Sequence, residues 1–209
     1  MWEKFKVFMG CLGSYLWMVT RLNQLWSKFY QFVWQRSKVM PLLRFATLER
    51  LVEYIKPLKW RPDTWREVGD ATSKPEAIQW LAENEPNKLI GDCDEFGHYE
   101  SAVVQNELQK GNQLYVRGWK IVQARLFTVM WYQTAPVEEV GFGGHNVCGL
   151  VLENGELCYM DYGHPSQSVK DWDSLAALVR HQYAPSCERL GYAVSVPWSL
   201  KPEIVKFNG

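Results

Sequence analysis

The stretch from Leu89 to Tyr99, Leu-Ile-Gly-Asp-Cys-Asp-Glu-Phe-Gly-His-Tyr, constrains this chain more than any other. Two apolar residues lead into a Gly-Asp turn. A helical pattern then starts at Cys93 and runs to about Gln109. A cysteine in that place meets unpaired backbone N–H groups and the positive end of the helix dipole, and both favour an anion. That is a physical route to a thiolate at neutral pH, so Cys93 is a candidate nucleophile.

A cysteine nucleophile needs a base to take its proton and a group to orient that base. The chain holds four histidines: His98, His145, His164 and His181. His145 stands at the start of a strand pattern over Asn146–Leu152. Asn154-Gly155 is the strongest short hairpin signal in the chain, and Glu156–Met160 reads as the returning strand. Asp161 stands at its end. A hairpin turning at Asn154-Gly155 puts His145 and Asp161 near the same open end, where a bulge or small stagger brings them side by side. His98, four residues after Asp94, reads as a local partner of that carboxylate. His164, three residues past Asp161, is a weaker understudy for the base.

Composition sets the outer limits. The chain has 209 residues, 47% hydrophobic and 22% charged, enough for one domain with a sizeable core and an appendage. Formal net charge is zero, so no overall basic field points to nucleic acid, and the 11 tryptophans read as core or cleft walls. The five cysteines, Cys11, Cys93, Cys148, Cys158 and Cys187, are scattered with no CxxC pair. That disfavours a disulfide framework and a cysteine zinc site, and points to a cytoplasmic or other reducing compartment. Cys148 and Cys158 fall on the two hairpin strands and read as core. The acidic run Asp92, Asp94, Glu95 and Glu100 suits a helix N-terminus without a metal, and no cofactor is expected.

The ends and connections follow from periodicity. Trp2, Phe5, Met9, Leu12, Leu16, Val19, Leu22, Trp26, Phe29 and Val33 form a helical stripe, weakened at Gly10 and Gly13. Residues 1–40 hold six basic residues against Glu3 alone, a balance of +5. This amphipathic segment is expected to pack on the domain's own core, dock on a protein partner or a second copy, or lie on a membrane surface. Its apolar run is too short for a transmembrane span, and no cleavage site makes it a signal peptide. Leu42–Tyr54 reads as a second helix. Ser73 and Glu76 suggest a capping box opening a helix over Pro75–Asn84. Leu114–Gln133 reads as two strands broken near Gly118, Asp171–Tyr183 as a helix, and the tail from Gly191 as a strand with an extended end. Helices followed by strands indicate an α+β fold with an antiparallel sheet. Residues 1–40 form the N-terminal segment and residues 41–209 the main domain.

Gly91-Asp92-Cys93-Asp94-Glu95-Phe96 resembles the Gly-Asp-Cys-x-x-Phe/Tyr motif of the transglutaminase-like cysteine peptidase superfamily. Gly144-His145-Asn146-Val147, the hairpin, and Met160-Asp161 resemble that family's second and third motifs. Ser73–Ile78 resembles the helix that precedes its cysteine. The likeness covers about residues 58–163, half of the chain. It implies a papain-like α+β core, with a helix-borne cysteine packed on an antiparallel sheet. It further implies a triad of Cys93 as nucleophile, His145 as base and then acid, and Asp161 as orienter. The oxyanion donors it implies are Trp60, with Trp65 next, and the backbone N–H of Cys93. Two positions depart from the family: Gly97 replaces its usual alanine, and His145-Asn146-Val147 replaces its frequent His-Ala-Trp. The implied activity is hydrolysis of an amide in a protein or peptide through a thioester. The alternatives are transglutaminase-type transfer to an amine, and a non-catalytic assembly or binding protein that docks through its N-terminal helix.

Overall fold

The computed structural model describes residue 9 and residues 21–35, 38–61, 73–133, 141–198 and 202–207. Its architecture is α+β. In chain order come α1 (Arg21–Trp34), α2 (Leu48–Ile55), β1 (Lys59–Trp60), α3 (Pro75–Asn84), β2 (Leu89–Gly91) and α4 (Cys93–Gln109). There follow β3 (Tyr115–Val116), β4 (Trp119–Gln133), β5 (Gly141–Leu152), β6 (Leu157–Asp161) and β7 (His164–Pro165). Last are α5 (Trp172–Tyr183), β8 (Glu188–Ser195) and β9 (Pro202–Phe207). The main sheet runs β7-β6-β5-β4-β8-β9, with β3 pairing beside β4, and every pairing in it is antiparallel.

Strand alternation fixes the layers, because successive side chains point to opposite faces. On one face, Cys148, Leu150, Leu152, Cys158 and Met160 form a core with α2, α3 and α4. On the other, Phe127, Val129, Val147, Leu157 and Tyr159 pack with Leu175, Ala176 and Val179 of α5. Cys148 and Cys158 are free and buried, as core residues.

The helix boundaries follow their caps. α2 starts at Leu48 rather than Leu42, because the Thr47 hydroxyl accepts the Arg50 N–H at 3.4 Å and fixes the first turn there. α3 spans Pro75–Asn84, but the Ser73–Glu76 capping box is not made. Lys74 is the N-cap, without a side-chain cap, and the Ser73 N–H goes instead to Glu95 Oε1 at 3.1 Å. The glycine-rich stretch from Gly141 is already strand, paired along β4.

Of the long stripe, α1 is the described part, with Met9; the stripe's other positions before Arg21 lie outside the described residues. Phe29 and Val33, two of its positions, are exposed together with Leu25 and Phe32. Gln35, just past α1, is buried and accepts the Lys74 N–H at 3.0 Å, which ties the segment to the start of α3. Among the described residues no helix is long and apolar enough to cross a membrane.

Candidate functional site

The start of α4 is a capping box, one helix later than the pattern at Ser73 suggested. The Asp92 carboxylate accepts the Asp94 N–H at 2.8 Å, and Glu95 Oε2 accepts the Asp92 N–H at 3.3 Å. Asp92-x-x-Glu95 is the sequence signal for it, an acidic variant of the usual Ser/Thr form. Gly91 makes the turn possible. Its φ is +149°, and a Cβ there would lie 2.4 Å from Glu95 Cγ. Cys93 is therefore the first residue of a well-capped helix, partly accessible, with its Sγ 3.9 Å from Asp94 Oδ1.

This first turn is stitched to β5 beside His145. Asn146 Nδ2 donates to Asp94 Oδ1, and Thr128 Oγ1 donates to Asn146 Oδ1. One turn further along, a Cβ on Gly97 would come within 2.9 Å of the Asn146 backbone. The two positions that depart from the resembled motifs thus meet at one contact. Gly97 lets the helix approach β5 closely, and Asn146 uses its amide to grip the helix.

His145 and Asp161 are in contact: His145 Nε2 donates to Asp161 Oδ1 at 3.0 Å, with both side chains buried. β5 and β6 pair Cys148 with Met160. Continuing that register sets Asp161 opposite Val147, on the same face as His145 and diagonal to it. A diagonal neighbour is within reach of a long side chain without a bulge. A carboxylate only accepts, so Nε2 carries the hydrogen and Nδ1 is left to exchange a proton.

The pair and the cysteine lie on different sides of β5. Alternation sends Asn146 toward α4 and His145 toward α5. Tyr162 occupies the seam between them. Its ring meets Phe96 of α4 edge-on at 4.6 Å and lies 5.9 Å from the His145 ring. Burial first, and then Cys93 and Asp161, hold its hydroxyl well above the usual range. Tyr162 and Gly163 form the two-residue turn between β6 and β7, with φ of +47° and +74°. Such turns prefer Asn, Asp or Gly at the first place. A tyrosine held there stores about 1–3 kcal/mol of strain, a cost met where the surroundings fix the geometry. Glu100 of α4 helps to fix it, since its Oε1 accepts the Gly163 N–H at 2.7 Å. Burial, and Asp161 nearby, push the Glu100 carboxyl well above the usual carboxylate range. Its Oε2 is buried without a hydrogen-bond partner.

The remaining candidates separate clearly. Trp60 pairs with Gly91 across the parallel β1–β2 contact, two residues before Cys93, and its side chain is exposed. Trp65 lies outside the described residues. His98 does not pair with Asp94. Its Nδ1 donates to Ser73 O at 2.9 Å and its Nε2 accepts the Trp198 N–H at 3.1 Å. His164 is exposed on β7 and pairs with Asp161 through backbone register. Asp92, Cys93 and Asp94 bring three potential ligand atoms within 4.8 Å of one another. Asp92 accepts the Asp94 N–H in the cap, and Asp94 Oδ1 accepts the Asn146 amide.

Asn146, Tyr162, Glu100 and Tyr183 join the site without having been read in the sequence as site residues; Glu100 was read only as part of the acidic run and Asn146 only as a departure from the motif. Asn146 and Tyr162 flank His145 and Asp161, so adjacency was their signal. Tyr183 comes from the last turn of α5 and had none. A cleft of about 210 Å³ opens beside Asp161, between Tyr162, His164, Gln182 and Tyr183. Comparisons with protein-family models, with curated proteins and with solved structures find no match for this chain.

Proposed function

We propose that the chain is a thiol-dependent amide hydrolase with a papain-like core, acting on a protein or peptide. The observation that carries this reading is the buried His145–Asp161 hydrogen bond at the end of the sheet where the capped helix α4 opens on Cys93. In this reading the Cys93 proton travels round the end of β5, past Tyr162 and through intervening water, to His145 Nδ1 as Sγ bonds to the amide carbon. The Cys93 N–H and Trp60 stabilise the oxyanion. The C–N bond then breaks as His145 returns the proton to the leaving amine. Water, activated by the same imidazole, releases the acid from the thioester. An amine in place of that water makes the outcome transglutamination, and the hydrolytic reading is preferred.

The test is peptide-resolved alkylation by iodoacetamide at neutral pH, with turnover of a peptide-amide library. Cys93 is expected to label faster than Cys148, Cys158 and Cys187, and Cys93→Ala to abolish turnover. Equal turnover in Cys93→Ala would sink the proposal.

A second reading concerns where the protein acts, and α1 favours it. Leu25, Phe29 and Phe32 lie on one helix face at 61%, 53% and 63% exposure, with Lys28 exposed beside them. With the basic balance of residues 1–40, that face suits an anionic lipid surface. Sedimentation with phosphatidylglycerol vesicles, but not phosphatidylcholine vesicles, should depend on Phe29 and Phe32. Self-association without vesicle binding would assign the face to a second copy instead.

A further inference from the structure

Five side chains form a continuous hydrogen-bonded line from Tyr159 on β6, through the end of α5, to the candidate base. Tyr159 donates its hydroxyl to Gln182 Oε1, and Gln182 Nε2 donates to the Tyr183 oxygen at 3.2 Å. Tyr183 donates to Asp161 Oδ2. Asp161 Oδ1 in turn takes the His145 Nε2 hydrogen at 3.0 Å. The same Tyr183 ring lies against the imidazole, with centroids 3.9 Å apart and planes 34° off parallel. Tyr183 thus touches both members of the pair at once, one through its hydroxyl and the other through its ring face.

The platform beneath it is fixed. Tyr183 is the last residue of α5, and Arg180 Nη1 donates to the carbonyls of Pro185 at 3.1 Å and Cys187 at 2.6 Å just beyond. Those bonds hold the helix end in place. The ring is also a wall of the 210 Å³ cleft and is 38% exposed, whereas His145 and Asp161 are 6% and 4% exposed. Asp161 lines the same cleft but is nearly buried, and the Tyr183 ring is the more exposed wall beside it.

We propose that Tyr183 is the positioning residue of the His145–Asp161 pair: its hydroxyl sets the Asp161 carboxylate, and its ring keeps cleft water off the bond between them. The inference rests on the reading of His145 as a base. Burial and the bond to Asp161 hold the Tyr183 hydroxyl above its ordinary range, so it remains a donor throughout the neutral region. Among the described residues, the titratable groups beside the pair are Glu100 on α4, Tyr159 on β6, Tyr162 in the turn and His164 on β7. Of these, only Tyr159 is joined to Tyr183, through Gln182.

The experiment reads the bond itself. The His145 Nε2–H proton is followed by low-field proton NMR, in the full chain, for its resonance position and its exchange with water. Tyr183→Phe keeps the ring and removes the hydroxyl, and is expected to move the resonance. Tyr183→Ala removes both and is expected to speed exchange at least about tenfold, the change that one hydrogen bond of ordinary net strength makes to a local opening. Gln182→Ala should give a smaller displacement of the resonance. Either Tyr183 variant, shown folded by circular dichroism, with wild-type position and exchange overturns the proposal. Tyr183→Phe leaves the packing intact, so the test survives if the alanine variant does not fold. Alkylation of Cys93 in the same samples separates the two questions. An inert Cys93 with a Tyr183-dependent resonance removes the hydrolase reading alone. A reactive Cys93 with an indifferent resonance removes the positioning role alone.

Discussion

His98 and His145 are both buried, at 1% and 6% exposure, and the fold uses them in opposite ways. His98 is held by two backbone groups, Ser73 O and the Trp198 N–H, one on each ring nitrogen. One nitrogen must donate and the other accept, so that geometry fits only the neutral ring. Burial drives its pKa down to about 4, with the Ser73 carbonyl pulling weakly the other way. His145 has a carboxylate partner instead, and a carboxylate can balance an imidazolium. Burial by itself therefore does not mark a base. What matters is whether the partner can share a charge.

The contrast breaks if the two histidines respond alike to removal. His145→Ala should lower amide turnover by about a thousandfold or more, the scale for losing a positioned base. Its thermal midpoint should move less than that of His98→Ala. His98→Ala leaves the Ser73 carbonyl and the Trp198 N–H unpaired around a cavity, and should cost about 3 kcal/mol. That is a drop in the thermal midpoint of roughly 6–12 °C for a chain of this size. Cys93 in the folded fraction of His98→Ala should alkylate as in the parent. Differential scanning calorimetry and turnover on both variants decide it.

Part of this was legible in the sequence. Cys93 at a helix start follows from the Gly-Asp turn, and the hairpin follows from Asn154-Gly155, because both signals are local. The antiparallel sheet follows from the strand patterns for the same reason. The capping box forms one helix later than the sequence pattern suggests, because Ser73-x-x-Glu76 fits the usual form better than Asp92-x-x-Glu95 does. α2 starts later than the pattern suggests because apolar spacing continues back to Leu42, while Thr47 supplies the cap. Which face each residue of β5 presents needed the register, since a shift of one reverses every side chain. The partner of His98 differs from the sequence expectation for a different reason. An i,i+4 carboxylate is a good local guess, and two distant backbone groups outcompeted it. Tyr183 could not be read at all, because its link to Asp161 exists only after α5 packs on the sheet.

The next prediction sharpens the contrast through pH. His98 is neutral in the fold and takes up a proton on unfolding once the pH falls below its ordinary value near 6.5. Acidification from there to about 4 therefore removes stability, by up to about 3 kcal/mol. Glu100 works in the other direction. Its carboxyl holds its proton more tightly in the fold than in the unfolded chain, where it ionises above the ordinary value of 4.5. Its contribution is fully present below that value and is lost as the pH rises. Between pH 4.5 and 6.5 the two slopes oppose one another, and Glu100→Gln removes one of them. Stability of the variant should rise with pH more steeply than that of the parent, by up to about 1.4 kcal/mol per pH unit. Denaturant melts across that window give the two slopes, and parallel curves would show that Glu100 titrates as an ordinary carboxyl.

The smallest effect concerns the cysteine itself. If a carboxylate beside an imidazole favours its charged form, a carboxylate beside a thiol should oppose the thiolate. Asp94 Oδ1 lies 3.9 Å from Cys93 Sγ and works against the helix dipole at that point. Asp94→Asn removes the charge but keeps an oxygen that can accept the Asn146 amide, so the stitch between α4 and β5 survives. Alkylation of Cys93 by iodoacetamide at pH 7 should then rise about fivefold, which corresponds to roughly 1 kcal/mol of relieved repulsion in a partly exposed setting. Asp94→Ala loses the stitch as well, and should gain less because the first turn of α4 is no longer held against β5. Equal rates in the parent and Asp94→Asn would mean that the bond from Asn146 already offsets the Asp94 charge. The capped helix end would then act on Cys93 without an opposing charge.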